Sequence, residues 1–140
     1  MSDRFFLDTN IFVYSFDRSA AAKSRRAEEL IYAAVAAQRG VVSYQVIQEF
    51  FNLALRRFTP PMSLADAEQY LGTVFRPLLG VHSSQALYVA ALQLHAKARI
   101  GWYDSLIVAA ALEARCDFLY TEDLQHGQRF GSLKIANPFL

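Results

Sequence analysis

The sequence predicts an α/β fold built on a central parallel sheet of four to five short strands flanked by helices. Short apolar runs alternate along the chain with longer segments of helical periodicity, which is the order found in β-α-β units. The apolar runs are continuous rather than alternating, as in strands that are covered on both faces. There is no hairpin signal, internal repeat or linker, so the 140 residues predict one domain spanning residues 1–140.

Each strand and helix of the first half has its own signal. Strands are predicted from short apolar runs, and helices from apolar stripes of helical period. Gly40 is placed to end the long second helix, and Ser43 to cap the third. Ser63 and Asp66 resemble a capping box at the start of the fourth helix. In chain order we predict strand 4–7, a short helix from residue 10, helix 20–38, strand 41–42, a helix ending near residue 58 before Pro60–Pro61, a helix from residue 64 to about 76, and strand 78–81.

The second half continues the same alternation. Ser83 or Ser84 is placed to cap a helix that runs to about residue 98, and Gly101 separates it from an Ala-rich helix. The remaining predicted elements are helix 103–114, strand 118–120, a polar loop containing Gly127 and Gly131, and a last strand 133–135.

Composition and charge exclude several classes of protein. The net charge of +1 shows no excess of basic residues, which counts mildly against an RNA substrate. It does not exclude a nuclease, because bound divalent ions invert the local charge of an acidic site. Cys116 is the only cysteine, so no internal disulfide can form. The first residues do not resemble a signal peptide, and no apolar stretch approaches the roughly 18 residues of a membrane span. We therefore expect a cytoplasmic protein with no membrane partner. Its hydrophobic fraction of 54% indicates either a sheet buried on both faces or apolar surface kept for a partner.

Acidic residues lie where a site at a sheet edge is expected. Asp8 and Asp123 each come directly after a predicted buried strand, and ligands bind in the crevice beyond the carboxyl ends of parallel strands. Glu49 and Asp104 lie within strongly apolar segments, where burying a carboxylate is costly unless it is paired or binds a metal ion. Each acid alone is explained as well by a helix cap, a turn or a solvated helix face. All four together indicate a shared site.

Four segments taken in order form a recognisable pattern. They are FLDTNI at 6–11, QEF at 48–50, YDSLIVAAA at 103–111 and LYTEDL at 119–124. This pattern closely resembles the PIN-domain ribonucleases, and within them the VapC-type toxins of toxin–antitoxin pairs, over nearly the whole chain from Phe5 to Phe139. The resemblance implies a PIN-like three-layer fold and a divalent-metal-dependent endoribonuclease that hydrolyses RNA phosphodiester bonds.

The resemblance also implies a catalytic role for each acid. Asp8, Asp104 and Asp123 correspond to metal ligands. Glu49 corresponds either to a further ligand or to the residue that orients or deprotonates the attacking water. Oxygen donors without a nearby His or Cys cluster favour magnesium (Mg2+), or manganese (Mn2+), over zinc.

Other residues are predicted to support the site or to contact the RNA. Asn10 and Thr121 match polar positions that support the site in the family. Trp102 and Tyr103 could stack on a base, but core packing is the preferred interpretation. The candidates for phosphate contact are Arg25, Arg26, Arg99 and Arg129. Lys and Arg side chains are common on helix surfaces, so each of these residues has an ordinary explanation as well.

A series of large apolar residues has two interpretations. The series forms either a docking groove for a partner or a buried core face. The resemblance implies a homodimer and a cognate antitoxin that covers the cleft and contacts DNA, so DNA contact by this chain would be indirect. The members of the series are Phe50, Phe51, Leu55, Phe58 and Met62.

Three alternatives differ in what they require of the sequence. A PIN nuclease of RNA maturation would have the same residues; growth arrest relieved by a neighbouring small protein would favour the toxin. A non-catalytic signalling module of the receiver type would need an acidic pair ahead of Asp8 and a Lys after residues 119–120, whereas only Asp3 precedes Asp8 and no such Lys follows. A haloacid-dehalogenase-type phosphatase would need an Asp where Asn10 stands.

Overall fold

The computed structural model describes residues 3–140 and consists of a six-stranded sheet flanked by helices. The first two residues of the predicted 1–140 domain lie outside the described residues. The strands are β1 (Phe5–Leu7), β2 (Gly40–Ser43), β3 (Leu79–Val81), β4 (Phe118–Tyr120), β5 (Arg129–Phe130) and β6 (Leu133–Ala136). The helices are α1 (Thr9–Tyr14), α2 (Ala21–Ala36), α3 (Tyr44–Ala54), α4 (Leu64–Tyr70), α5 (Arg76–Leu78), α6 (Gln85–Ala98) and α7 (Trp102–Glu113). A π-helical segment, Leu71–Phe75, joins α4 to α5.

The sheet has the strand order β3-β2-β1-β4-β6-β5, and every pair is parallel except β5 with β6. The strand β1 therefore lies inside the sheet, with β2 on one side and β4 on the other. The chain runs from β1 towards one edge and later returns as β4 on the opposite side of β1. In open parallel sheets, ligands bind at such a reversal of strand order.

The predicted α/β class is confirmed, and the predicted burial is complete for β1 and β2 but only partial for the other four strands. Every residue of β1 and β2 is buried, as continuous apolar runs require. The segment from Ser105 to Ala111 of α7 is also buried without interruption. This helix is therefore a rigid, central element, and the residues at its start are held firmly in place. Within residues 3–140, no helix is long and apolar enough to span a membrane.

The sequence predicted that the chain contains no hairpin, and this prediction is wrong. The strands β5 and β6 form an antiparallel pair joined by Gly131 and Ser132, and Gly131 has a φ of 61°. Gly-Ser between two strands is a known signal for a two-residue hairpin turn. Because β5 contains only two residues, it has no apolar pattern of its own. The sheet therefore has six strands, one more than the upper limit of the prediction.

Gly40 does not end α2. The helix ends at Ala36, Gln38 takes the left-handed conformation with a φ of 56°, and Gly40 is the first residue of β2. A Cβ at Gly40 would lie 2.2 Å from the Cβ of Ala34. The glycine is therefore required by the close approach of β2 to α2.

The serine caps behave differently from one another. The Oγ atoms of Ser63 and Ser84 accept hydrogen bonds from the backbone N–H groups of Asp66 and Leu87, as predicted. Ser43 precedes α3, but its Oγ has no hydrogen-bond partner among the described residues. The predicted side-chain cap at Ser43 is therefore wrong. The helix α3 also ends at Ala54, earlier than the predicted end near residue 58.

The predicted apolar series belongs mainly to the core. Phe50 is fully buried, so no partner can contact it, and the docking interpretation is wrong at that position. Phe51, Phe58 and Met62 are partly buried against the core. Leu55, which is 47% exposed, is the most exposed member of the series.

Candidate metal centre

The structure brings all four predicted acids together around one cavity of about 350 Å³. Asp8 follows β1 and caps α1, Glu49 lies on α3, Asp104 is in the first turn of α7, and Asp123 follows β4. The strands β1 and β4 pair in parallel, so Asp8 and Asp123 leave the same edge of the sheet side by side. The site therefore lies at the reversal of strand order.

Asp8 is the most deeply buried of these acids, with only 6% of its surface exposed. Its Oδ1 accepts a hydrogen bond of 2.7 Å from the backbone N–H of Thr9, and its Oδ2 accepts one of 2.8 Å from the Thr121 hydroxyl. The pKa of Asp8 is raised to about 7, mainly by burial and to a smaller extent by the charges of Asp123 and Glu49, while the two hydrogen bonds lower it. The buried anion thus lacks the stabilisation that a cation would provide.

Glu49 is held by two neutral donors. Its Oε1 accepts a hydrogen bond of 2.6 Å from the Thr9 hydroxyl, and its Oε2 accepts one of 3.2 Å from Nε2 of Gln45. The same Gln45 amide lies 3.4 Å from the backbone oxygen of Tyr103, so it connects α3 to the start of α7. Neither Thr9 nor Gln45 was predicted from the sequence as a hydrogen-bond partner of Glu49. Gln45 is four residues before Glu49, on the same face of α3, and this spacing was the available signal.

Asp104 and Asp123 are less constrained. Asp104 is half-buried and accepts no hydrogen bond within residues 3–140; burial raises its pKa, followed by the charges of Asp123 and Glu49. Asp123 is exposed, and Nδ2 of Asn10 lies 3.3 and 3.4 Å from its two oxygens. Burial also raises the pKa of Asp123, followed by the charges of two neighbouring glutamates.

The predicted supporting residues, Asn10 and Thr121, both contact site acids. Asn10 donates weakly to Asp123, as described above. Thr121 donates to Asp8, and its hydroxyl oxygen accepts a hydrogen bond of 3.1 Å from the backbone N–H of Asp123. One buried hydroxyl therefore connects the acids that follow β1 and β4.

No positive side chain neutralises the site. The cavity lining includes neither Lys nor Arg, and none of the ion pairs found in residues 3–140 involves a site acid. These pairs are Lys23–Glu122, Arg26–Glu29 and Arg39–Asp3. The excess negative charge of the cavity is therefore of the kind that a divalent cation offsets.

The carboxylate oxygens of the site are suitable ligands for a hard cation, although their positions in this structure do not surround a single point. Across the described part of the chain, no three Asp, Glu, His or Cys side chains are close enough to hold an ion as they stand. The neutral donors on Asp8 and Glu49 leave lone pairs free, because each carboxylate offers about four. Oxygen ligands favour magnesium or manganese over zinc. Binding would require the carboxylate side chains to move together.

The candidate phosphate contacts lie elsewhere on the surface. Arg25 and Arg26 are exposed on α2, and Nε of Arg26 donates to the backbone oxygen of Pro138. Arg99 is exposed at the end of α6, and Arg129 is exposed on β5. None of these arginines lines the cavity.

Trp102 and Tyr103 have different environments. Trp102 is half-buried and packs against the core, as preferred from the sequence. Tyr103 is 66% exposed and lines the cavity, so core packing was the wrong interpretation for this residue.

Comparison with known proteins gives a family match over most of the chain. The sequence matches the PIN domain family over residues 5–129. No curated protein matches the sequence significantly.

Solved structures resemble the chain over nearly its whole length. FitAB bound to an IR36 DNA fragment has a TM-score of 0.71 and 17% identity, covering 97% of this chain and 96% of that one. A toxin–antitoxin complex from Klebsiella pneumoniae has a TM-score of 0.65 and 19% identity, covering 95% and 96%. VapC20 from Mycobacterium tuberculosis, a toxin that cleaves the sarcin–ricin loop, has a TM-score of 0.62 and 19% identity, covering 85% and 89%. At these identities the similarity shows a shared fold.

Proposed function

We propose that this chain, which belongs to the PIN domain family, is a divalent-metal-dependent endoribonuclease that hydrolyses RNA phosphodiester bonds. The observation that carries the proposal is the convergence of four carboxylates on one cavity that has no cationic side chain in its lining. Such a cavity repels a phosphate unless a cation is bound, and oxygen donors suit magnesium or manganese.

The four acids Asp8, Glu49, Asp104 and Asp123 would hold the cation. When bound, it would offset negative charge on the phosphate and make a nearby water more acidic. Asp8 and Glu49 are oriented by neutral donors, which fix the direction of these two carboxylates without cancelling their charge. Glu49 has two roles open to it, as a ligand or as the base that takes a proton from the attacking water.

We also propose that the chain is the toxin of a type II toxin–antitoxin pair. Similar folds occur in a Klebsiella toxin–antitoxin complex and in the M. tuberculosis toxin VapC20, which supports this role. Its partners would be RNA, a cognate antitoxin and a second copy of the chain, with DNA contacted only through the antitoxin. An RNA-cleaving toxin would act in the cytoplasm.

A PIN nuclease of RNA maturation is the second candidate, since it would use the same acids. Expression of the chain alone separates the two roles. A toxin would arrest growth, and co-expression of the small protein encoded beside it would relieve the arrest. A maturation enzyme would cause no arrest and would leave unprocessed precursors when deleted.

The direct test of catalysis replaces one acid at a time. We expect Asp8→Asn and Asp104→Asn to lower magnesium-dependent cleavage of single-stranded RNA by more than about a hundredfold. This is because even residues that only support metal ligands contribute roughly 10–100-fold. Asp66→Asn is the matched control, because Asp66 is an exposed acid on α4 outside the cavity.

Magnesium binding provides a second readout. Magnesium should raise the melting temperature of the wild type and of Asp66→Asn, but much less that of Asp8→Asn. A folded Asp8→Asn protein that retains full metal-dependent cleavage would contradict the proposed site. Cleavage that persists in a metal chelator would contradict the proposed cofactor.

A further inference from the structure

Tyr103 is a large aromatic side chain left uncovered beside the acidic cavity. It is 66% exposed and directly precedes Asp104 at the start of α7. Among the described residues, its ring makes no aromatic contact and its hydroxyl forms no hydrogen bond. Its neighbour Trp102, in contrast, packs against the core. Folding therefore gains little from the Tyr103 ring, although Tyr103 is one of the residues that line the cavity of the four acids.

The backbone that presents Tyr103 is firmly held. Nε2 of Gln45 lies 3.4 Å from the Tyr103 backbone oxygen, and the helix that follows is buried from Ser105 to Ala111. The side chain is therefore attached to a well-held stretch of backbone directly beside Asp104. An aromatic residue presented in this way loses little conformational freedom when it binds a ligand.

Neutral side chains extend the cavity beyond the acids. Asn52 and Leu53 line it and lie about one helical turn, roughly 5.4 Å, beyond Glu49 along α3. Ile107 lines it about one turn beyond Asp104 on α7. Next to its carboxylates, the cavity thus offers an aromatic ring, aliphatic surface and an amide. This combination suits a flat heterocycle with polar edges.

Direct charge attraction cannot supply the affinity of this cavity for RNA. Its lining contains four carboxylates and no Lys or Arg, so phosphate is attracted only through a bound cation. Stacking needs no charge, and an aromatic ring accepts every base. A base can stack on a protein ring only after leaving its own stack in the RNA, which is easiest in single strands, loops and bulges.

We propose that Tyr103 stacks on an unpaired RNA base beside the bond that is cut, and that this contact makes the chain select single-stranded or looped RNA. The inference rests on the endoribonuclease function proposed above. It assigns to Tyr103 a role in substrate binding and specificity, separate from the metal-binding role of the acids.

The test compares variants of two exposed tyrosines. Tyr32, on α2, is 76% exposed and does not line the cavity, so Tyr32→Leu is the matched control. The probe is single-stranded RNA of mixed sequence, about 12 nucleotides long, with magnesium. We expect Tyr103→Leu to raise KM by about tenfold with little change in kcat, because stacking contributes mainly to binding. Tyr103→Phe, which keeps the ring, should stay within about twofold of the wild type.

A spectroscopic readout reports on stacking itself. The fluorescent base 2-aminopurine is quenched when it stacks, and stopped-flow mixing records the signal before cleavage. RNA containing this base should be quenched by the wild type, Tyr103→Phe and Tyr32→Leu, but not by Tyr103→Leu. Melting temperatures should be unchanged in all variants, because both tyrosine side chains are exposed.

The possible failures are distinguishable. If Tyr103→Leu keeps the wild-type KM and quenching while the wild type cleaves RNA, the stacking proposal is overturned and the nuclease proposal stands. The same conclusion follows if the wild type cuts fully paired RNA as fast as single strands. If the wild type cleaves no RNA with any divalent metal, both proposals are overturned.

Discussion

Asp8 has a capping role that a neutral residue could also fill, so its charge needs a separate explanation. Its Oδ1 caps α1 by accepting a hydrogen bond from the backbone N–H of Thr9. Asn would cap the helix about as well, so capping does not explain a buried carboxylate. Burial raises the pKa of Asp8 to about 7, which means that its anion is destabilised in the metal-free fold. Folding alone therefore does not explain an acid at this position, whereas the proposed cation would.

We predict that the metal-free protein loses stability as the pH rises from about 5 to about 7.5. The folded Asp8 carboxyl keeps its proton up to about pH 7, whereas the unfolded chain loses it near the ordinary value of 3.8. Between these values the folded state binds more protons, so stability falls by at most about 1.4 kcal/mol per pH unit from this group. Urea unfolding in a chelator should show a loss of about 1–3 kcal/mol in the wild type.

The variant Asp8→Asn tests the assignment of this effect to Asp8. It has no proton to lose, so its stability should depend much less on pH, whereas Asp66→Asn should behave like the wild type. Magnesium should restore the stability of the wild type at about pH 7.5, where the carboxylate is available to bind it. Equal pH dependence in the wild type and Asp8→Asn would contradict the raised pKa of Asp8.

At the scale of single residues, the four acids that line the cavity could be singled out from the sequence, but not all of their hydrogen-bond partners could. An acid after a buried strand or inside an apolar run is conspicuous, because it serves no purpose in the core. Thr9 and Gln45 are ordinary helix residues in the sequence, and only the packing of α1, α3 and α7 brings them to Glu49 and Tyr103. The exposure of Tyr103 was also missed, because it lies beside Trp102, which packs against the core, at the start of a helix that is buried from Ser105 to Ala111.

The close contact between α2 and β2 depends on a glycine, because a side chain at Gly40 would overlap with α2. A Cβ at Gly40 would lie 2.2 Å from the Cβ of Ala34 and 2.9 Å from its Cα. The second of these atoms belongs to the helix backbone, so a simple rotation of a side chain cannot relieve the overlap. The pairing of β2 with β1 begins at Gly40, opposite Phe5, and a shift there would reach the strand that carries Asp8.

We predict that Gly40→Ala destabilises the protein by about 1–3 kcal/mol, the usual cost of overfilling a packed interior. Gly72→Ala is the matched control, since a Cβ at Gly72 meets no atom within 4 Å. Gly72 lies in the π-helical segment, where alanine should be neutral or stabilise by up to about 1 kcal/mol. Chemical denaturation of both variants measures the difference. Equal stabilities would mean that α2 and β2 separate easily.

For the helices and strands, the correct predictions are those that depend on local sequence signals. The Ser63 and Ser84 caps were found because each is decided within one helical turn. The roles of Gly40 and Ser43 were misassigned, because they depend on Ala34 across the α2–β2 contact and on the buried surroundings of the Ser43 hydroxyl. The β5 strand was missed because two residues are too few to form a pattern.

For the molecule as a whole, the strand order determines where the site lies. Alternating strands and helices predicted a parallel sheet, but not that β4 would pair with β1 on the side opposite β2. That choice depends on contacts between segments more than a hundred residues apart, such as Phe5 with Phe118. It places Asp8 and Asp123 just beyond the ends of adjacent strands, and so brings separate sequence motifs to one cavity.

One helix presents an uncharged face that suits contact with a second copy of the chain. Val89 and Leu92 of α6 are 46% and 55% exposed, and the helix contains no Asp, Glu, Lys or Arg before Lys97. In a two-fold symmetric contact each residue near the axis meets its own counterpart, so like charges would repel there. A face without charges avoids this repulsion, and its apolar residues supply area to bury.

We therefore predict that α6 forms the contact of the proposed homodimer and that Val89→Glu separates it into monomers. The substitution would place two carboxylates close together in an apolar contact, where their repulsion and desolvation are largest. Sedimentation velocity should give a dimer for the wild type and a monomer for Val89→Glu. Leu64→Glu is the control, because Leu64 is 74% exposed at the start of α4, outside this face, and should leave the dimer intact. If Val89→Glu is still a dimer, the contact must lie on another surface. If the wild type is a monomer, the proposed homodimer is wrong.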